Sequence, residues 1–123
     1  MILIDTSVWV DHLRVGDAAL ERLLDSGAVL EHPFVIGELA LGNLRQRNPV
    51  LNALRELPQA AVAAHEEVLH FIDRRALFGL GIGCADAHLL AAVGLTGGAK
   101  LWTRDRRLQA AATQLGLAVA PPF

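Results

Sequence analysis

The sequence predicts an α/β fold in three layers, a mainly parallel central sheet of about five strands with helices over both faces. Three observations predict it. Short apolar runs rich in Leu and β-branched residues alternate with stretches of helical periodicity, and the connections between them are short. The 123 residues also suffice for one hydrophobic core and are too few for two, so 1–123 reads as a single domain.

Ile2 to Ile4 is the first strand, and Ala18 to Leu24 then sets Leu20, Leu23 and Leu24 at helical spacing before Gly27 ends the helix. Ala28 to Leu30 is the second strand. Pro33, suited to a first helical turn, opens a helix running to about Leu44. Asn48-Pro49 repeats that start for a short helix carrying Val50, Leu51, Leu54 and Leu57, which Pro58 stops. Ala61 to Ala63 is a brief strand, and His65 to Phe78 puts Leu69, Ile72 and Ala76 on one helical face ahead of glycines 79, 81 and 83. Cys84 to Leu95 is helical, Gly97-Gly98 breaks it, and Lys100 to Trp102 is a strand. Asp105 to Leu115 is the final helix, and Leu117 to Ala120 the final strand.

Composition narrows the function classes. Apolar residues make up 53% and mean hydropathy is +0.38, above the usual apolar share, so part of the excess is expected at the surface as an interface. No apolar run approaches the roughly 20 residues that span a bilayer, and Asp5 stands where a signal peptide would be apolar. The expectation is a cytoplasmic protein without membrane contact. Cys84 is the single cysteine, which excludes an intrachain disulfide and a thiolate zinc cluster. Net charge is −2 with ten Arg and one Lys, so any nucleic-acid surface has to be local.

Four carboxylates fall in positions that ordinary solvation does not explain together. Glu38 has Phe34 and Val35 one turn before it and Leu41 and Gly42 one turn after, which predicts that it faces the core from mid-helix. A buried unpaired carboxylate costs several kcal/mol or loses its charge. Asp86 shares a face with Leu89, Leu90 and Val93, although an acid in a first turn also complements the helix dipole. Asp5 follows the first strand and Asp105 follows the late one, the end of a parallel sheet where sites form. Singly, Asp105 also fits a helix cap and Asp5 an Asx-turn. Gathered in one pocket, the four anions would repel one another unless a cation lay between them. An all-oxygen set suits Mg²⁺ or Mn²⁺ better than zinc, and such ions support in-line hydrolysis of phosphodiesters.

DTSVW at 5–9, GEL at 37–39, DAHLLAA at 86–92 and TRD at 103–105 resemble, in order and over essentially the whole chain, the PIN-domain ribonucleases. Within that family the compact size is similar to VapC-type toxins of bacterial or archaeal toxin–antitoxin pairs. The resemblance implies a PIN-like α/β/α sandwich and a Mg²⁺-dependent endoribonuclease, with Mn²⁺ able to replace Mg²⁺. It makes Asp5, Glu38, Asp86 and Asp105 the acidic metal site, Thr103 the residue that orients the acids, and Thr6 a hydrogen-bonding support. It further implies a homodimer, a cognate VapB-type antitoxin whose tail enters near the acids, and an RNA substrate of the tRNA or rRNA class. Leu108 departs from the family pattern, which often has an aromatic residue after the last acid.

Other residues read both ways. Arg45 and Arg47 with Asn48, and Arg104 and Arg106 with Arg107, could form a basic rim for RNA phosphates, and solvated helix ends explain them equally well. Cys84 reads as a small packing residue and His88 as a surface or partner-facing one. Trp9, with Val8, Leu13 and the helix from Val50 to Leu57, reads either as core or as one wall of an exposed groove. Two rivals carry the same fold features. A phospho-accepting receiver lacks a counterpart for the pair of acids it needs after its first strand, and its late-strand lysine has no clear match in Lys100. A catalytically silent PIN-fold binding module would neither bind Mn²⁺ through these acids nor cut RNA.

Overall fold

The computed structural model describes residues 1–121 and 123. Strands β1 (Ile2–Ile4), β2 (Val29–Leu30) and β3 (Lys100–Trp102) form a parallel sheet in the order β2-β1-β3. Ile2 pairs with Val29 on one side and Lys100 on the other, and Ile4 pairs with Trp102. One further parallel bridge lies on each edge, Glu31 to Gln59 beside β2 and Leu101 to Ala118 beside β3. Five extended segments therefore lie side by side, the outer two reduced to single bridges.

The edge beside β2 is displaced from the expected Ala61 to Ala63. The amide of Ala60 donates to the Glu31 carbonyl at 2.8 Å, but that of Ala61 donates to Thr96 Oγ1 at 3.0 Å and leaves the ladder. The last strand shrinks similarly, with Leu101 N bonded to Leu117 O and Val119 N to Leu101 O.

Among the described residues seven helices complete the fold: α1 (Thr6–Val15), α2 (Ala18–Asp25), α3 (Pro33–Leu41), α4 (Arg47–Glu56), α5 (His65–Arg75), α6 (Cys84–Leu95) and α7 (Arg106–Gln114). The helix α1 has no counterpart in the sequence reading, because TSVWV is dominated by residues of low helix propensity. Burial overrides propensity here. Val8 and Trp9 face inward, and His12 one turn later meets the Trp9 ring edge-on at 5.9 Å. Trp9 is thus core and not the wall of a groove.

Helix ends differ from expectation for local reasons. The helix α3 stops at Leu41, where Gly42 N bonds to Leu39 O, three residues before the expected Leu44. Gln46, in the left-handed region, precedes α4, so Pro49 falls in the first turn and not at its start; no helical partner is missed there. The helix α5 ends at Arg75, before the expected Phe78, because Ala76 turns left-handed and Leu77 N caps the Ile72 carbonyl.

Consecutive residues of a strand point to opposite faces, and Leu3 with Ile4, and Leu101 with Trp102, are all buried. Both faces of the sheet are therefore covered. The helix α6 is buried along Ala87–Val93, packs on α5 and β3, and runs through the core, while α1, α3 and α4 pack in sequence on one another. Leu108, the departure noted above, is fully buried and simply part of that core. No helix of the described residues is long and apolar enough to cross a membrane. Ile4→Val removes one methylene from a fully buried site and is expected to cost about 0.5–1.5 kcal/mol, read as a lower midpoint in urea with an unchanged slope.

Candidate active site

The first acid is held where two parallel strands end. Asp5 is buried, its amide donating to the Trp102 carbonyl at 2.9 Å, so the ends of β1 and β3 are tied together beneath it. Its Oδ2 accepts from Ser7 Oγ and from Thr103 Oγ1, each at 2.7 Å. Thr103 Oγ1 in turn accepts from the amide of Asp105 at 3.0 Å, so one buried hydroxyl orients two of the acids. Ser7 was not among the residues read from the sequence. It also accepts from the Arg104 amide, which locks the turn after β3 onto the start of α1. The signal was its position two residues after Asp5, within reach of a carboxylate at a helix start.

Asp105 occupies the cap of α7, with Oδ1 accepting from Leu108 N at 2.9 Å. Asp86 lies in the first turn of α6, where Oδ2 accepts from Gly83 N at 3.1 Å. Glu38 Oε1 accepts from Thr6 Oγ1 at 3.1 Å, a link across 32 residues between α1 and α3. Contrary to the sequence expectation, Glu38 does not face the core. It is exposed, and so are Phe34 and Leu41, the latter 90% accessible. Of the apolar neighbours named for it only Val35 is buried, and the Glu38 carboxyl meets the Thr6 hydroxyl from the rim.

Electrostatics tie the four into one group. Partial burial of the Glu38 carboxyl raises its pKa, the Thr6 hydroxyl pulls it back, and the charges of Asp5 and Asp86 push it further up. Asp86 is raised by burial, opposed by the Gly83 amide, and raised again by Asp5 and Asp105. Each carboxylate spends one oxygen on the hydrogen bonds above, and among the described residues no cation pairs with any of them.

The donor chemistry fits a hard divalent ion, because it is entirely oxygen and carries excess negative charge. The oxygens do not form a closed inner shell, since the one trio of His, Cys, Asp or Glu ligand atoms within 4.8 Å of each other among the described residues lies elsewhere. A hard divalent ion that retains several waters and binds through one or two carboxylates directly needs no closed shell of protein oxygens. Repulsion predicts that, without metal, Asp86→Asn melts a few degrees above the parent and that Mg²⁺ closes the gap. Thermal scans with EDTA and with Mg²⁺ check it; a lower melting point in EDTA would contradict a repulsive cluster.

Around the acids, Arg104 is committed elsewhere. Its guanidinium pairs with Asp11 at 2.6 Å and Asp17 at 2.5 Å and lies over the Trp102 ring, so it braces the turn after β3 against α1 and the start of α2. Arg47 donates to the Ala40 carbonyl at 3.0 Å. Arg45 lines a groove of about 660 Å³ with Glu38, Val10, Leu13 and Val50. The expected groove thus exists beside the acids, with Val10 in place of Trp9 and Val8. Cys84, expected to pack inside, is exposed, while His88 is buried against Phe34 and His65.

Residues 2–114 match the PIN domain family model. The chain belongs to the PIN-domain family. Over 120 residues, 98% of this chain and 97% of the relative, it is 53% identical to Ribonuclease VapC32 of Mycobacterium tuberculosis, with the same agreement in two strains. Two solved structures share the fold. FitAcB from Neisseria gonorrhoeae has a TM-score of 0.62 at 23% identity, covering 92% of this chain and 94% of that one. PAE2754 from Pyrobaculum aerophilum has a TM-score of 0.60 at 18% identity, covering 92% and 80%.

Proposed function

We propose that this PIN domain is a Mg²⁺-dependent endoribonuclease, the toxin of a VapBC-type pair, that hydrolyses RNA phosphodiester bonds. What supports the reading is that the charges of Asp5, Glu38, Asp86 and Asp105, carried by four separate segments, act on one another, and that each carboxylate makes its hydrogen bonds through one oxygen. The 53% identity to a protein named as a ribonuclease supports it.

In this reading the four carboxylates hold Mg²⁺, with Mn²⁺ as a substitute. The bound ion would supply Lewis-acid polarisation of a phosphate oxygen and a more acidic water. The protein's own residues do the positioning. Ser7 and Thr103 fix the Asp5 carboxylate, Thr103 also fixes the backbone of Asp105, and Thr6 aims Glu38. Glu38 and Asp86 are raised in proton affinity by burial and by the charges of the neighbouring acids, and a bound cation would offset that repulsion. Arg45, Arg47 and Arg106 form the basic rim for RNA, and Arg104 contributes there chiefly by holding the turn that carries Asp105.

The substrate is an RNA of the tRNA or rRNA class, the setting is the cytoplasm, and the working form is a homodimer. A VapB-type antitoxin silences the site by laying a segment along the groove of Val10, Leu13, Val50 and Glu38. Incubating the purified protein with tRNA and rRNA tests the activity. Cleavage with Mg²⁺ or Mn²⁺ and none with EDTA is expected, and intact RNA in every divalent cation would overturn the proposal.

A further inference from the structure

The helix α6 carries a second set of metal-binding groups on the side away from Asp86. Cys84 and His88 are four residues apart and share a face, while Asp86, two residues from each, points elsewhere. His65, the first residue of α5, reaches across to them. Its Nδ1 lies 3.4 Å from His88 Nε2, the two rings stack at an interplanar angle of 13°, and ligand atoms of His65, Cys84 and His88 all fall within 4.8 Å of one another.

Two imidazole nitrogens at that separation share either one proton or one metal ion. Nitrogens bound to a tetrahedral zinc at about 2.0–2.1 Å lie about 3.3–3.4 Å apart, the separation the two imidazole nitrogens already have, and the Cys84 sulfur is within 4.8 Å of both. The rest of the surroundings fit as well. Phe34 packs on the His88 ring at 4.6 Å and fixes its plane, His88 is buried, and His65 and Cys84 are exposed, which leaves an entry path and an open fourth position toward solvent. The exclusion of a thiolate cluster from the single cysteine still holds, because one sulfur with two imidazoles is a different set.

We propose that His65, Cys84 and His88 form a transition-metal site for a tetrahedral ion, zinc(II) in the first place, distinct in position and in chemistry from the acidic site. Nitrogen and sulfur ligands favour zinc, cobalt or copper, whereas carboxylates and water suit magnesium, so excess Mg²⁺ can occupy the acidic site while the softer ion is titrated. An ion there fastens the start of α5 to the first two turns of α6, the helix that also positions Asp86.

Cobalt(II) is the probe, titrated into the intact protein with Cys84 kept reduced and with Mg²⁺ in excess to occupy the carboxylates. One equivalent is expected to produce the intense visible bands of tetrahedral cobalt and a thiolate-to-metal charge-transfer band, both bleached by added zinc. Cys84→Ser should lose the charge-transfer band, His65→Ala should lose the intense visible bands, and Asp5→Asn should keep both. Circular dichroism shows whether each variant is folded. Weak octahedral absorption in the parent, a charge-transfer band that survives Cys84→Ser, or loss of the signal in Asp5→Asn would each overturn the proposal.

Discussion

Asp5→Asn is expected to lower RNA cleavage by roughly a thousandfold or more and to abolish growth arrest on expression, with the fold intact. The size follows from what one anion does at a metal site. A metal's Lewis-acid contribution is worth several kcal/mol, and each 1.4 kcal/mol or so is a factor of ten in rate. The fold should survive because the Asn carbonyl still accepts from Ser7 Oγ and Thr103 Oγ1, while the backbone link to Trp102 is untouched. What disappears is the charge, from a group whose neighbours already repel it. Single-turnover cleavage with Mg²⁺, paired with a circular dichroism spectrum, checks both halves. A variant that cuts at the parent rate would remove Asp5 from the chemistry.

The second large effect is expected far from the acids, at Glu31. This carboxyl is fully buried beside the outermost bridge of the sheet; Oε1 accepts from the His32 amide and Oε2 has no partner among the described residues. Burial raises its pKa to about 8, against 4.5 when exposed. A raised carboxyl pKa means that the folded state holds a proton the unfolded state has lost. Stability from this group is therefore full below about pH 4.5, declines as pH rises, and levels off above about pH 8. At about 1.4 kcal/mol per pH unit the loss is on the order of 3–5 kcal/mol.

His32 works in the opposite direction. Burial and the nearby His88 lower its pKa to about 4, and its Nδ1 accepts from the Phe34 amide, so it is neutral in the fold and its stabilisation is lost as pH falls through that range. Between about pH 4.5 and 6.5 the two slopes oppose each other, and between 6.5 and 8 Glu31 acts alone. Glu31→Gln isolates the carboxyl, since subtracting the two stability curves cancels His32 and the acidic site. Urea unfolding from pH 5 to pH 8, with Mg²⁺ present, should show the variant gaining on the parent as pH rises. Parallel curves would mean that Glu31 is ionised in the fold.

Much of this was legible along the chain because the relevant physics is local. Asp5 directly follows an apolar strand, Asp105 follows another through Thr103-Arg104, and Asp86 lies in the first turn of a strongly apolar helix, so their places in the order of elements could be read along the chain. Glu38 was reached by a different route from the one the fold takes. Its apolar neighbours suggested burial, yet Phe34 and Leu41 are exposed, and what marks the residue is Thr6, reached only in three dimensions. The helix α1 was hidden because Val, Trp and Thr favour strands, and tertiary burial of Val8 and Trp9 decided otherwise. Of the outer sheet segments, that expected at Ala61 to Ala63 lies earlier, at Gln59, since Ala61 turns away to Thr96, and that expected at Leu117 to Ala120 is overextended. His65 lies 23 residues from His88, and no spacing rule joins them.

The central claim is that four carboxylates together hold one kind of ion. Mn²⁺ binding, followed by the loss of its free electron-spin resonance signal, measures it directly in the parent, in Asp5→Asn, in Glu38→Gln and in a surface control such as Glu56→Gln. The parent and the control should bind alike, and both site variants should bind at least about tenfold more weakly, a loss of about 1.4 kcal/mol or more. Equal binding by all four proteins would contradict the account.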